Sequence, residues 1–483
     1  MTQPQPTTAF QPYCPAARRK YVLIAAILAS AMGFIDGSVV AIAIPAIRES
    51  LGASLVEVQW VHNAYLLALS ALILVGGAAG DRFGLRLVFG VGIAAFVVAS
   101  LACAVAPNAT FLIAARVVQG MAAALMVPGS LAIISKTYPE GERAKAIGVW
   151  AAASAMTTAL GPVLGGVLLS LGEAGIWRWI FAINLPVGAL ALGMLWLRVP
   201  PDRPATRHGL DWVGAVLATA ALGLLAWGLT GADGEHAAPT LARILAWGGA
   251  GVVCLLLFLL WELRTPHPMM PPHLFAQRGF STANLVTFGL YFSLSGVLFY
   301  LPMTLISGWD LPEAQVGIMF MPLTVAIALG SGPVGRLAAR VGTRPLIAGG
   351  SVIVGLAYAG LALAVMVQSF WGAVLPALCV MGVGMALIVA PLSAAVMGAV
   401  GEGDAGAASG INNAVSRIAG LVAVALLGGV VSVGYAWAGG EGAFGALPGQ
   451  GAAMNIGFAA VAGVTALVAF ASAGAAWWGL AQR

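Results

Sequence analysis

Residues 77–86 read GAAGDRFGLR, which places one acid and two arginines in a short turn between two long apolar segments. A related stretch, GRLAARVGTR, stands at residues 335–344, 258 residues further on. The glycines and arginines keep the same spacing in both stretches. A short basic turn of generic kind would explain either stretch alone, but the matched spacing favours a chain built from two related halves, as in many membrane proteins.

The composition indicates that this chain lies in a lipid bilayer. Its mean hydropathy is +0.97, and 60% of its 483 residues are hydrophobic while only 8% are charged. A soluble domain has about 25% charged residues. The 64 glycines suit close packing of transmembrane helices. The chain is therefore predicted to be an integral membrane protein, and its net charge of +5 does not require a nucleic-acid partner.

Fourteen apolar segments are long enough to cross a bilayer, for which a helix needs about 20 residues. The predicted spans are 21–44, 57–79, 87–106, 110–134, 144–171, 175–198, 211–230, 241–262, 281–306, 313–335, 345–367, 371–397, 407–434 and 455–480. Because the count is even, both chain termini are expected on the same side of the membrane.

The basic residues indicate which side that is. Most of them fall on the side of the termini, whereas the opposite loops hold only Arg48, Arg178 and Arg243. Positive charge accumulates on the cytoplasmic side of membrane proteins. The sequence thus predicts a multi-pass protein of the inner (cytoplasmic) membrane with both termini in the cytoplasm.

These observations predict an all-α integral membrane protein of two pseudo-symmetric six-helix bundles with an inserted helix pair. The N-terminal bundle covers 21–198, the inserted pair 211–262 and the C-terminal bundle 281–480. Residues 1–20, rich in proline and glutamine at their start, are expected to form a disordered cytoplasmic N-terminus.

Two charged residues inside spans of the first half are predicted to meet. Asp36 lies about 22 Å along span 1, and Arg116 lies about 9 Å into span 4, which runs the opposite way. Both therefore fall at a similar depth in the outer half of the bilayer. Ionisable groups there are costly and usually face a bundle interior or a watery cavity, and burial favours the neutral form of a carboxyl group. Asp36 could act as a proton switch whose charge Arg116 compensates, or the two could form a fixed ion pair.

Several motifs, taken in their order, resemble the major facilitator superfamily and, within it, the 14-span drug:proton antiporter family. They are GAAGDRFGLR (77–86), FIDGSVVAIAIPAI (34–47), RVVQGMAAALMVPGS (116–130), GPVLGGVLL (161–169) and WRWIFAINLPVG (177–188). The resemblance covers essentially the whole chain.

The resemblance implies roles for specific residues. The loop resembles the signature of the superfamily at Gly77, Asp81, Arg82, Gly84 and Arg86, with Arg340 and Arg344 in the second copy. Because an acid near a helix N-terminus or an arginine can hold two bundles together in one state, this loop is predicted to be a conformational latch. The resemblance also implies an antiporter motif at Gly161, Pro162, Gly165 and Gly166, a bent and closely packed segment that the family associates with export. In the second loop copy Ala339 stands where the acid would be, and the loop arginines could alternatively serve membrane topology alone.

A polar group near the middle of span 13 is the candidate substrate contact. Arg417 lies about ten residues into that span, close to the midplane where transporters bind their substrates. Arg417, with Asn412, Asn413 and Gln119, is predicted to line a central cavity. The alternative is a set of hydrogen-bonding groups between helices. No acid lies deep in the second bundle, so a neutral or singly charged lipophilic substrate is favoured.

Several chemistries are not expected. The chain lacks a GxxxxGK[ST] nucleotide loop, a His/Cys cluster suited to a metal and a loop long enough for a catalytic domain. We therefore expect no enzyme activity and no cofactor other than protons as the coupling ion. The sequence does not identify a periplasmic adaptor.

The resemblance implies a proton-coupled antiporter for efflux of lipophilic drugs or toxic compounds by alternating access, of the multidrug resistance type. Two alternatives stay open: a proton-coupled porter for one specific metabolite, and a receptor or scaffold that retains the fold without transporting. Loss of activity on changing Asp36 would separate both porters from the third possibility.

Overall fold

The computed structural model describes residues 14–172, 174–202, 211–230, 240–266, 268–401, 405–447 and 449–480. Over these ranges the chain is helical and contains no β-strand. We number the long helices α1 to α14 in chain order.

The first eight helices comprise the first half and a following pair. They are α1 (Ala16–Leu51), α2 (Leu55–Phe83), α3 (Leu85–Ala104), α4 (Ala109–Thr137), α5 (Glu140–Ser170), α6 (Gly175–Arg198), α7 (Trp212–Leu229) and α8 (Leu241–Glu262). The second half comprises α9 (Arg278–Gly308), α10 (Glu313–Gly317, continued by Ile318–Phe320 and Met321–Val341), α11 (Thr343–Val367), α12 (Phe370–Gly398), α13 (Ala405–Trp437) and α14 (Gly451–Gly479).

The predicted membrane architecture is confirmed. Thirteen helices of the described chain are long and apolar enough to cross a membrane. The remaining predicted span corresponds to α5, which is 31 residues long and contributes a shorter apolar portion at Gly161–Ser170. The prediction for the N-terminus needs a correction, because α1 already begins at Ala16, directly after Pro15. Residues 1–13 lie outside the described part.

Local signals explain where several helices begin and end. Ser54 and Glu57 form a capping box at the start of α2, where the Glu57 amide donates to Ser54 Oγ and the Ser54 amide to Glu57 Oε2. Asn108 accepts a hydrogen bond from the Phe111 amide and so caps α4. Such caps satisfy amides that have no partner within the helix.

The helices pack as two bundles with the same internal pairing. In the first half α2 and α3 both pack on α4, and α1 packs on α5. In the second half α10 and α11 both pack on α12, and α9 packs on α13. The bundles meet through α2 with α13 and through α5 with α10, and α7 of the inserted pair packs against α2 and α13.

The repeated loop has the same backbone turn in both halves. Gly84 between α2 and α3 has φ 98°, and Gly342 between α10 and α11 has φ 84°. Residues with a Cβ atom rarely adopt this region, whereas glycine does so readily. The turn residue therefore supports the internal duplication that the sequence spacing predicts.

Candidate functional site

Asp36 of α1 and Arg116 of α4 form a buried ion pair. The Arg116 guanidinium donates through Nη1 to Asp36 Oδ2. Asp36 is 1% exposed and Arg116 is fully buried. The structure thus brings together the two charges that the sequence placed at similar depth, and each charge compensates the other in a medium that penalises both.

Gln119, one helical turn after Arg116, connects the two charges a second time. Its Oε1 accepts from Arg116 Nη1 at 2.7 Å, and its Nε2 donates to Asp36 Oδ1 at 3.1 Å. Both carboxylate oxygens of Asp36 therefore accept a hydrogen bond. Protonation of either oxygen would require one of these donors to turn away. Gln119 was predicted to line the cavity, but it lies in this buried network.

A second group of polar residues holds Gln119 in place. Gln119 Nε2 lies 3.3 Å from Ser100 Oγ, which accepts from Asn184 Nδ2 at 2.9 Å and donates to the Phe181 carbonyl at 2.9 Å. Cys103 Sγ donates to Gln119 Oε1 at 3.5 Å. The network therefore reaches from α1 and α4 to α3 and α6.

Tyr65 of α2 separates this network from a large cavity. The Arg116 guanidinium carbon lies 4.3 Å from the centre of the Tyr65 ring, and Arg116 Nε donates to the Val61 carbonyl at 3.0 Å. Tyr65 also lines the cavity, and so does Gly33, one turn before Asp36 in α1. Asp36 itself does not line the cavity. Tyr65 therefore contacts Arg116 of the ion pair and also forms part of the cavity wall.

The cavity has a volume of about 740 Å³, within the range of sites that hold drug-sized molecules. We call the face where α1 begins and α14 ends the terminal face. The cavity lies in that half of the molecule, between α1, α2, α3, α4 and α13, and its walls are mainly apolar. Its lining includes Phe34, Leu74, Phe89, Leu125, Trp150, Ser30, Ser130, Asp211, Asn413 and Arg417.

Contacts between the two bundles close the opposite face. Gln59 Nε2 of α2 donates to the Tyr300 hydroxyl of α9 at 3.0 Å. The Ala314 amide of α10 donates to Ser170 Oγ of α5 at 3.0 Å, and Arg48 Nη1 donates to the Phe444 carbonyl at 2.6 Å. The structure is thus closed on the opposite face, with its cavity towards the terminal face.

The polar residues of α13 divide between two directions. Arg417 and Asn413, one turn apart, line the cavity. Asn412 instead donates to Asn284 Oδ1 at 3.2 Å and to Thr287 Oγ1 at 2.8 Å, both on α9. Asn412 therefore joins two helices of the C-terminal bundle, which corresponds to the alternative reading of these groups as interhelical contacts.

The GPVLGG segment of α5 packs closely against both bundles. A Cβ atom on Gly166 would lie 2.4 Å from the Glu313 carbonyl oxygen of α10, and one on Gly165 would lie 2.0 Å from Val39 Cγ2 of α1. Gly161 and Pro162 are buried in the same helix. This motif therefore forms part of the closed opposite face.

The loop after α2 is attached to its own bundle. Arg86 Nη2 donates to the Trp196 carbonyl at 2.9 Å, near the C-terminus of α6, where helix carbonyls favour a cation. Arg82 lies 5.3 Å from the centre of the Phe83 ring, and Gly77 lies in α2 beside Pro128 of α4. The side chain of Asp81 lies outside the described part, so the latch between bundles stays a prediction.

The second loop copy shows a related attachment. The Arg344 guanidinium carbon lies 4.5 Å from the centre of the Trp477 ring of α14, the last helix of its bundle as α6 is of the first. Arg340 is exposed on α10.

Asp202, after α6, is a structural residue that the sequence analysis did not identify. Its carboxylate accepts from the Leu85 and Arg86 amides at the start of α3, each at 2.9 Å, and forms an ion pair of 3.0 Å with Lys136. Burial alone would raise the pKa of Asp202, but these three donors outweigh it and hold that pKa below its ordinary value. The side chain is 1% exposed, so it joins α3, α4 and the segment after α6.

Other residues of the site were also missed. Ser100 and Tyr65 carry no pattern that separates them from other small polar or aromatic residues in spans. Asn184 stands inside the quoted WRWIFAINLPVG motif, and a polar amide within an apolar span is a signal that could have identified it.

Known proteins resemble this chain in sequence and in fold. Residues 26–424 match the sequence profile of the Major Facilitator Superfamily. The methylenomycin A resistance protein of Bacillus subtilis (strain 168) is 34% identical over 429 residues, 87% of this chain and 89% of that protein. The puromycin resistance protein of Streptomyces alboniger is 35% identical over 426 residues, 86% of this chain and 82% of that protein. The crystal structure of a D-xylose–proton symporter has the same fold, with a TM-score of 0.66 at 14% identity, covering 96% of this chain and 98% of that one.

Proposed function

Because the chain belongs to the Major Facilitator Superfamily, we propose that it exports small toxic organic compounds across the cytoplasmic membrane. Two relatives with more than four-fifths coverage are named for resistance to methylenomycin A and puromycin. The cavity of about 740 Å³ with mainly apolar walls has the size and surface for a lipophilic compound of that kind. Both termini and the terminal face lie in the cytoplasm, from which the cavity is loaded.

We further propose that protons drive this export through Asp36. The observation that carries the proposal is the buried Asp36–Arg116–Gln119 network, in which both carboxylate oxygens accept hydrogen bonds. When a proton binds one oxygen, Asp36 becomes neutral and loses its attraction for Arg116, which stays protonated. The contact between α1 and α4 then weakens. The two protonation states therefore favour different packings of the N-terminal bundle.

The cavity and the network are coupled through Tyr65. A compound in the cavity contacts one side of this ring, while the Arg116 guanidinium lies 4.3 Å from its centre. A shift of Arg116 on protonation therefore changes the cavity wall. Alternating access follows when the opposite face opens and the terminal face closes.

Accumulation of a panel of unrelated lipophilic antibiotics in an efflux-deficient bacterium tests the proposal. Cells that express the chain should accumulate less of several compounds than cells with an empty vector, and a protonophore should abolish the difference. Asp36→Asn keeps the shape of the side chain and removes its titration, so it should accumulate like the empty vector.

Asp310→Asn is the matched control. Asp310 is exposed and has φ 57°, a conformation that asparagine adopts well, so this variant should export like the wild type. Equal membrane levels of all variants are verified by immunoblot. Active Asp36→Asn protein with an intact response to the protonophore contradicts the role of Asp36. A lack of export for every compound contradicts the proposed function and favours a porter for one metabolite.

A further inference from the structure

Arg417 lines the cavity and forms no ion pair within the described part of the chain. Its Nε is buried and has no hydrogen-bond partner among the described residues. The ion pairs among the described residues are Arg19–Glu142, Arg116–Asp36 and Lys136–Asp202. Arginine stays protonated in proteins, and a charge within the membrane-spanning region is costly without a partner.

Two acids of the described residues lie at or just behind the cavity wall, and neither is paired with Arg417. Asp36 is held by Arg116 and Gln119 behind the Tyr65 ring. Asp211 lines the cavity at the start of α7. Its Oδ1 accepts from the Gly214 amide at 2.8 Å and from Trp261 Nε1 at 2.9 Å, while its Oδ2 is buried and has no hydrogen-bond partner among the described residues. Neither acid forms an ion pair with Arg417, so none of the described carboxylates competes with a bound anion for its guanidinium.

The surroundings of Arg417 suit a molecule with one charged end. Asn413 lies one turn before it on the cavity-lining face of α13 and adds an amide near the guanidinium. A planar guanidinium binds a carboxylate through two parallel hydrogen bonds. The cavity lining also includes Phe34, Phe89 and Trp150, which offer contact to an apolar body. Arg417 is the only cationic residue among the described lining residues.

We propose that the cavity selects amphipathic monoanions, whose single carboxylate or similar group binds Arg417 while the apolar body packs against the aromatic wall. This inference rests on the proposed function, because it names the chemical class of the exported compounds. Neutral compounds fit the same cavity but leave the Arg417 charge without a partner.

Equilibrium binding to the purified full-length protein in nanodiscs tests the inference. The probes are N-dansyl-leucine, which carries a carboxylate at pH 7, and its methyl ester, which differs in lacking that charge. Dansyl fluorescence should show that the wild type binds the acid at least about tenfold more tightly than the ester. Arg417→Gln should weaken binding of the acid by about tenfold to a hundredfold, the range for loss of a charged hydrogen bond. Binding of the ester should remain unchanged.

Two further variants complete the experiment. Arg417→Lys keeps the charge and should retain a preference for the acid. Arg278→Gln removes an exposed arginine at the start of α9, whose Nη2 donates to the Trp478 carbonyl, and should bind both probes like the wild type.

Equal affinity of the wild type for the two probes, or an equal loss for both in Arg417→Gln, overturns the inference. If Arg417→Gln cannot be purified, the inference is tested by the ratio of the wild-type affinities for the acid and the ester, and by the same ratio in Arg417→Lys. Equilibrium binding of the probes does not depend on a proton gradient. The export proposal and the proposal that Arg417 selects anions can therefore be contradicted independently of each other. Absent export with an intact acid preference contradicts only the proposed function, and export without that preference contradicts only the inference.

Discussion

Replacing Gly166 by alanine should force open the closed opposite face. A Cβ atom at this position would lie 2.4 Å from the Glu313 carbonyl oxygen and 3.2 Å from Ala314 Cα. Both neighbours are backbone atoms of α10, which cannot rotate away as a side chain does. The neighbouring contact is also close, since a Cβ on Gly317 would lie 2.8 Å from the Pro162 oxygen.

The expected magnitude follows from these distances. Heavy atoms in favourable contact lie about 3.5 Å apart, so α5 and α10 must separate by about 1 Å. Overpacking of this kind costs about 1 to 3 kcal/mol. The cost falls on the state in which α5 and α10 touch, so the equilibrium should shift about 5- to 150-fold towards an open opposite face.

Distances between spin labels measure this shift. Leu171 at the end of α5 and Trp437 at the end of α13 are 76% and 84% exposed, and they lie on the opposite face in different bundles. With cysteines introduced at these two positions, and the four native cysteines replaced, pulsed electron resonance gives the distance between the labels. Gly166→Ala should add a population at longer distance.

Gly193→Ala is the matched control, because a Cβ atom there has no atom within 4 Å. It should leave the distance distribution unchanged. If Gly166→Ala folds normally and gives the same distribution as Gly193→Ala, then the α5–α10 contact does not hold the opposite face closed and our reasoning is wrong.

Two further predictions concern residues that join helices. Asp202→Asn should lower the stability by about 1 kcal/mol at pH 7, as loss of a helix cap does. Because folding lowers the pKa of Asp202, its contribution is complete above the ordinary aspartate pKa of about 3.9 and disappears as the pH falls through the lower folded value. Thermal unfolding followed by tryptophan fluorescence should therefore show the two proteins converging below about pH 4, and a constant difference would contradict this. Tyr300→Phe removes the hydroxyl that donates to the Val424 carbonyl at 2.7 Å and accepts from Gln59. It should cost about 1 to 3 kcal/mol and also lengthen the label distance, and an unchanged distance would confine Tyr300 to a role within its bundle.

The sequence predicted the architecture because a bilayer demands long apolar helices. Thirteen of the fourteen predicted spans and the pairing of Asp36 with Arg116 follow from lengths and depths along helices. The duplication follows from the matched spacing of glycines and arginines in the two loop stretches. The start of α1 was predicted less well, because basic residues before an apolar segment look like a loop, although they extend the helix by one turn.

The direction of a side chain around its helix was harder to predict. Asn412 and Asn413 are neighbours in sequence but point to α9 and to the cavity, respectively. The apolar pattern of α13 continues around much of its circumference, so it does not define a buried face. On α4, likewise, the sequence did not show the direction in which Gln119 points, so Gln119 was assigned to the cavity rather than to the ion pair. Asp202 was missed because its partners, the first amides of α3, stand more than 100 residues earlier.

The Tyr65 ring between the cavity and Asp36 has a consequence for the energetics of the cycle. In the proposed cycle the exported compound and the proton bind at separate sites, so they do not compete for one carboxylate and the compound keeps its own charge during transport. Exchange of one inward proton for a neutral molecule moves a single charge across the membrane. Exchange for an outward monoanion moves two, so a potential of 100 mV contributes about 4.6 kcal/mol instead of about 2.3 kcal/mol. The electrical gradient, rather than the pH gradient, would then dominate export of an anion in a cell at neutral pH.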